Sequence, residues 1–184
     1  MTQSLNEDLQ PPPLIRKVKL NEIENEVSKS CDITAAEREG IRDLLDLRAL
    51  DTLNFTYRLR EDRGGKVHIS GRLEADVTQT CVVSLEPIPS AIDVPVAVEF
   101  WPVAKIEILE KQAEDPDQAA AIDWPELIEA GAIDLGRLIY ETLATSLDPY
   151  PKKAGARLQW ADEESGPETA ENGPFAALKR LKDS

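Results

Sequence analysis

The side chains in this chain that could do chemistry are few: one histidine, His68, two cysteines, Cys31 and Cys81, and a large surplus of carboxylates. His68 falls at a polar-face position of a strand-like segment, where an imidazole is expected to be exposed and to have no special role. Neither cysteine is flanked by cationic residues that would stabilise a thiolate, so no nucleophile is marked. The sequence contains no glycine-rich phosphate loop, no nucleophile elbow and no helical His pair. Glu141, Asp148 and the carboxylates of residues 110–117 could be imagined as a metal or acid–base site, but charge runs in an acidic protein are ordinarily solvated. No catalytic, metal-binding or cofactor-binding residue is therefore expected, and the chain reads as a non-enzyme.

Recognition chemistry is better represented. The chain ends Asn172-Gly173-Pro174-Phe175-Ala176-Ala177-Leu178-Lys179-Arg180-Leu181-Lys182. Phe175, Leu178 and Leu181 recur every third residue and would share one side of a short helix, with Lys179, Arg180 and Lys182 elsewhere. Pro174 suits the first helical position. Residues 152–173 form an acidic linker whose few large apolar side chains cannot offset the entropy of ordering it, so this stretch is expected to be flexible. The short helical motif at 174–184 is then one of two things. It is a tethered peptide that binds a partner through Phe175, Leu178 and Leu181, or a clasp that docks on the chain's own core.

Composition narrows the classes further. The 184 residues, 41% hydrophobic and 30% charged, suffice for one core of ordinary size. No stretch has the roughly 18 apolar residues of a membrane-spanning helix. The start, MTQSLNEDLQPPP, is neither basic nor apolar enough for a secretory signal, so a cytoplasmic location is expected with both cysteines as free thiols. A formal net charge of -14 and a pI near 4.5 argue against binding nucleic acid through its phosphates, which needs a basic patch. The cluster Arg16, Lys17 and Lys19 and the basic C-terminus are too small to dominate the field. An acidic surface instead favours encounter with a basic protein.

Residues 1–13 form a loose arm ending at Pro11–Pro13, and residues 14–151 form a single domain. Leu14–Leu20 looks like an edge strand guarded by lysines. Thr34 and Glu37 make a capping box for a helix whose stripe is Ile41, Leu44, Leu45 and Leu47, ending near Arg48. From Thr52 the apolar period becomes two, through Leu53, Phe55, Tyr57 and Leu59. Arg63-Gly64-Gly65 then turns the chain into a returning strand that carries Val67, Ile69, Leu73, Ala75 and Val77 on one face. Gly71, on that inward register, predicts a bulge or bend. Pro87 and Pro89 predict a turn, and Ile92 to Phe100 a third strand that Pro95 pushes to an edge or a bulge. Glu110–Ala120 reads as an acidic loop, and 122–133 as irregular chain with a short strand. Asp134 caps a second helix that buries Leu135, Leu138, Ile139, Leu143 and Leu147 and stops at Asp148-Pro149. The expected class is α+β: a coiled antiparallel β-meander, barrel-like in outline, packed with two main helices.

Several of these pieces, in their order, resemble the YceD family of large ribosomal RNA subunit accumulation proteins. They are Cys81 with Leu85-Glu86-Pro87 after a strand, Asp134-Leu135 opening a helix that contains Glu141, Pro149 and Pro151 closing it, and the terminal Pro174-Phe175 motif. The likeness covers about Leu50 to Lys182. Much of the family has a second cysteine where this chain has Ser84, and one thiolate with one hydroxyl makes a poor zinc site, so Cys81 is read as packing or turn chemistry. The resemblance implies a non-enzymatic bacterial factor supporting 23S ribosomal RNA synthesis or accumulation. Joined to the charge argument, it predicts that the acidic domain binds a basic large-subunit ribosomal or assembly protein, with the terminal peptide as a second contact and at most weak RNA binding. The alternatives are a metal- or thiol-dependent enzyme, and a structural homo-oligomer built through the Leu14–Leu20 edge.

Overall fold

The computed structural model describes residues 14–23, 27–113 and 124–157. The N-terminal arm, most of the acidic loop, all but the first residues of the linker, and the terminal motif with Pro174, Phe175, Leu178 and Leu181 lie outside them.

Alternation of apolar and polar residues builds the main sheet. Strands β3 (Ala49–Glu61), β4 (Val67–Thr80) and β5 (Pro87–Trp101) form an antiparallel meander with pairs such as Tyr57↔Gly71↔Val96. Because side chains alternate across a strand, Leu53, Phe55, Leu59, Val67, Ile69, Leu73, Val77 and Phe100 all fall on one face and are buried there. β2 (Ser28–Cys31) pairs antiparallel with β3, and the two-residue β6 (Glu126–Leu127) runs parallel to Phe100 and Trp101 of β5. The order is β2-β3-β4-β5-β6, and its margins β2 and β6 are not paired, so the sheet is open and not a closed barrel. A separate ribbon joins β1 (Lys17–Lys19) to β7 (Ala132–Asp134).

Both expected helices form. α1 (Ala35–Leu44) carries the Thr34/Glu37 capping box, with each residue's side chain accepting from the other's backbone N–H. It stops earlier than the stripe predicts because Asp46 adopts φ 51°, and the Leu47 amide donates to the Arg42 carbonyl at 2.9 Å in a Schellman-type ending. Leu47 therefore packs into the core from beyond the helix, while Leu44, expected on the buried stripe, is 46% exposed. α2 (Val103–Gln112) was not legible as a helix, and it absorbs Glu110–Gln112 from the expected loop. Its Val103 and Ile108 are both exposed, so it has no single apolar stripe to betray it. α3 (Leu135–Ser146) is capped by Asp134, whose carboxylate accepts from the Gly136 and Arg137 amides, and it buries Leu135, Leu138, Ile139 and Leu143, with Leu147 partly covered.

Three expectations about strands need correction. Only Lys17–Lys19 of the 14–20 segment is a strand, and it belongs to the small ribbon and not to the margin of the main sheet. Leu14 is fully buried instead, its carbonyl so close to Gly136 that a Cβ there would lie 2.3 Å from the oxygen. Gly71 makes no bulge: the ladder runs through it unbroken, and the irregularity sits between Leu50 and Thr52. What Gly71 supplies is room, since a Cβ would meet the Thr56 carbonyl at 2.5 Å and the Phe55 ring at 3.2 Å. Pro87 and Pro89 lie inside β5, paired with Thr80 and Thr78, and the turn precedes them. They fit because, among the described residues, β5 has no partner on its other side until Phe100.

Candidate functional site

The residues that carry the resemblance divide between two ends of the domain. At the first end, residues 81–86 connect β4 to β5. The Cys81 amide donates to the Glu86 carbonyl at 2.9 Å and the Leu85 amide to the Cys81 carbonyl at 3.0 Å, with Leu85 at φ 58° and its side chain held outward, 67% exposed. The chain leaving α3 passes against this turn. The Val82 amide donates to the Pro151 carbonyl at 2.9 Å, the Gln79 side chain to the Asp148 carbonyl at 2.9 Å, and the Lys153 ammonium to Glu86 at 3.0 Å. Pro149 lies on the exposed part of that passage.

Cys81 Sγ sits at the centre of this clasp. It is fully covered, and it accepts from the backbone amides of Lys153 and Ser84, each at 3.4 Å. These donors hold the thiol down from 9.0 to about 6: the Lys153 amide contributes most, then the Ser84 hydroxyl and amide, against the opposing effect of burial. The cover is thin, since Val82 and Leu85 of the same turn are exposed. A thiolate in such a nest of N–H groups is an anion that ties two chain segments together. Among the described residues no group of three His, Cys, Asp or Glu side chains is placed to hold a metal ion.

Cys31, at the end of β2, is the opposite case. Burial raises its thiol pKa, and the nearby Arg16 only partly offsets this. Arg16 spends its guanidinium on Glu37, at 2.7 and 2.8 Å, and on the Asp32 carbonyl at 3.0 Å, which keeps the Glu37 carboxyl below its ordinary value. The two cysteines are both unpaired thiols. His68 is half-buried where full exposure was expected, and its Nδ1 lies 3.0 Å from Glu99.

At the other end of the domain, Asp134 of the resemblance caps α3, and Leu135 and Glu141 lie within it. Leu135 packs in the core, while Asp134 and Glu141 edge an open cleft between α3, the β1–β7 ribbon and β6. Its apolar floor is Phe100, Leu127, Ile133 and Leu138. Glu126 and Glu129 join Asp134 and Glu141 as four carboxylates on the rim, against Lys17 and Arg137 as its two cations. Arg137 is already paired with Glu141 at 2.7 Å.

The structure thus assembles Cys81, Leu85, Glu86, Pro87 and Pro151 in one place and keeps Asp134 and Glu141 apart from them. Sequence reading missed Lys153, Gln79, Arg137 and the whole cleft. Lys153 stands two residues past the Pro151 motif, but no local pattern announces a contact with a sulfur 72 residues earlier. No curated protein and no solved structure matches this chain. A family comparison does match, over residues 69–182, more than half of the chain, and it spans the Cys81 clasp, α3 and the terminal motif alike. On that span the chain belongs to the YceD family, described as large ribosomal RNA subunit accumulation protein YceD.

Proposed function

We propose that this protein supports the synthesis or accumulation of 23S ribosomal RNA without catalysing a reaction, by binding a basic protein of the large ribosomal subunit or of its assembly. The family description supplies the link to large-subunit RNA. The observation that carries the mode of action is charge: a formal -14 over 184 residues repels the phosphate backbone and attracts lysine- and arginine-rich proteins. The Cys81 clasp supports a structural reading of the cysteine, because its sulfur is covered and ringed by backbone donors. Phe175, Leu178 and Leu181 provide a second contact once a partner is engaged.

The test is affinity capture of the full chain from lysate, with and without nuclease. Large-subunit proteins retained after nuclease treatment are the expected result. Their loss on nuclease treatment would mean that RNA bridges the interaction and would overturn direct protein binding.

A further inference from the structure

We propose that in the free protein the C-terminal segment 174–182 docks in cis into the acidic-rimmed cleft at the start of α3. This does not rest on the identity of any partner. The segment lies outside the described residues, and the case for it is complementarity. The cleft offers Leu127, 39% exposed, above buried Phe100, Ile133 and Leu138, and its rim carries four carboxylates against two cations, with Glu141 and Arg137 already paired to each other. Apolar surface also continues outside it, where Trp124, 51% exposed, shares a second depression with Glu126. Residues 174–182 carry the inverse pattern: Phe175, Leu178 and Leu181 at helical spacing, three cations in Lys179, Arg180 and Lys182, and no acid. An aromatic anchor in an apolar pocket, ringed by opposite charges, is how a short amphipathic helix is ordinarily held in a groove.

Reach permits it. The described chain ends at Arg157, just beyond the Cys81 clasp at the far end of α3, and α3 is 12 residues, or about 18 Å, long. A span of 18 residues, as from Arg157 to Phe175, can reach about 60 Å at most, and a random coil of that length averages about 20–25 Å. Tethering over that distance gives an effective concentration on the order of 1 mM. Even an intrinsic Kd of about 0.1 mM would then keep the segment docked roughly nine-tenths of the time.

Hydrogen–deuterium exchange on the full chain alone tests this, with the synthetic peptide 172–184 as reference. Amides of 175–182 are expected to exchange about tenfold more slowly in the protein than in the peptide. Lys179→Glu/Arg180→Glu/Lys182→Glu should bring them to the peptide rate and speed exchange at 126–138. Glu126→Lys/Glu129→Lys, two rim positions outside the helix cap and the Arg137 pair, should do the same, and combining both sets should restore part of the protection. Free-peptide exchange rates in the unaltered chain would overturn the proposal. So would protection indifferent to the rim substitutions, which would place the segment elsewhere, or protection that fades on dilution, which would make the occupant a second copy.

Discussion

The two ends of α3 make opposite kinds of surface from similar materials. At its C-terminal end the chain folds back over the Cys81 turn, and backbone donors, Gln79 and Lys153 tie the two segments together over the buried sulfur. At its N-terminal end Leu127 is left part-exposed beside a rim of unlike charges, over buried Phe100 and Leu138. The difference comes from what arrives in sequence after each element. Past Leu147 the chain returns across the Cys81 turn, whereas the described chain before β7 and α3 contributes only the two-residue β6.

The sharpest way to break this contrast is to truncate side chains on the same helix. Leu143 is fully buried, and Leu143→Ala should destabilise the domain by about 3–5 kcal/mol through lost burial and a residual cavity. Leu138 floors the cleft, where solvent can relax into the space, so Leu138→Ala should cost nearer about 2 kcal/mol. Urea unfolding of both variants measures this, and equal losses would mean that the cleft is as well packed as the closed end.

A smaller effect separates the two cysteines. Thiolate absorbance titrated on the folded protein should show one step near pH 6, absent in Cys81→Ala, while Cys31 ionises only above its ordinary 9.0. The sign for stability follows. Cys81 has a folded pKa below its unfolded one, so its stabilisation is fully present above about pH 9, declines as pH falls, and is gone below about 6. The stability gap between the natural chain and Cys81→Ala should therefore narrow from pH 9 to pH 6. A gap that widens on acidification would refute the amide nest as the cause.

The smallest expected change is at the surface of the clasp. Lys153 and Glu86 are each about half exposed, and Lys153→Ala keeps the backbone amide that serves Cys81. It should lower stability by less than about 1 kcal/mol and leave the thiolate step in place. A shift of that step would mean that the ammonium, not the amide, holds the thiolate.

Much of the architecture was written locally. The capping box at Thr34, the Asp134 cap with Leu135, Leu138, Ile139 and Leu143 behind it, and the alternation from Leu53 to Val77 each state a period or a cap within a few residues. Those signals need no tertiary information because they arise from side-chain direction along one element. α2 escaped notice for the converse reason: with Val103 and Ile108 exposed, it has no buried stripe to repeat. Gly71 lies on the face its register predicts, but of the bulge or bend expected there the bulge is absent, because sequence shows a missing side chain without showing the Phe55 ring that fills the space.

What the chain by itself determined, then, is its class, its caps, its strand faces, its acidity and the charge-reversed character of its last residues. What only the tertiary structure decided is which of two similar cysteines meets a ring of backbone donors and where a charged rim forms beside Leu127. Both depend on groups far apart in sequence converging within a few ångströms, the Lys153 amide on the Cys81 sulfur and Phe100, Leu127 and Leu138 on one cleft. Such convergence is set by strand register and by the path of the returning chain, neither of which is encoded in the neighbours of any one residue.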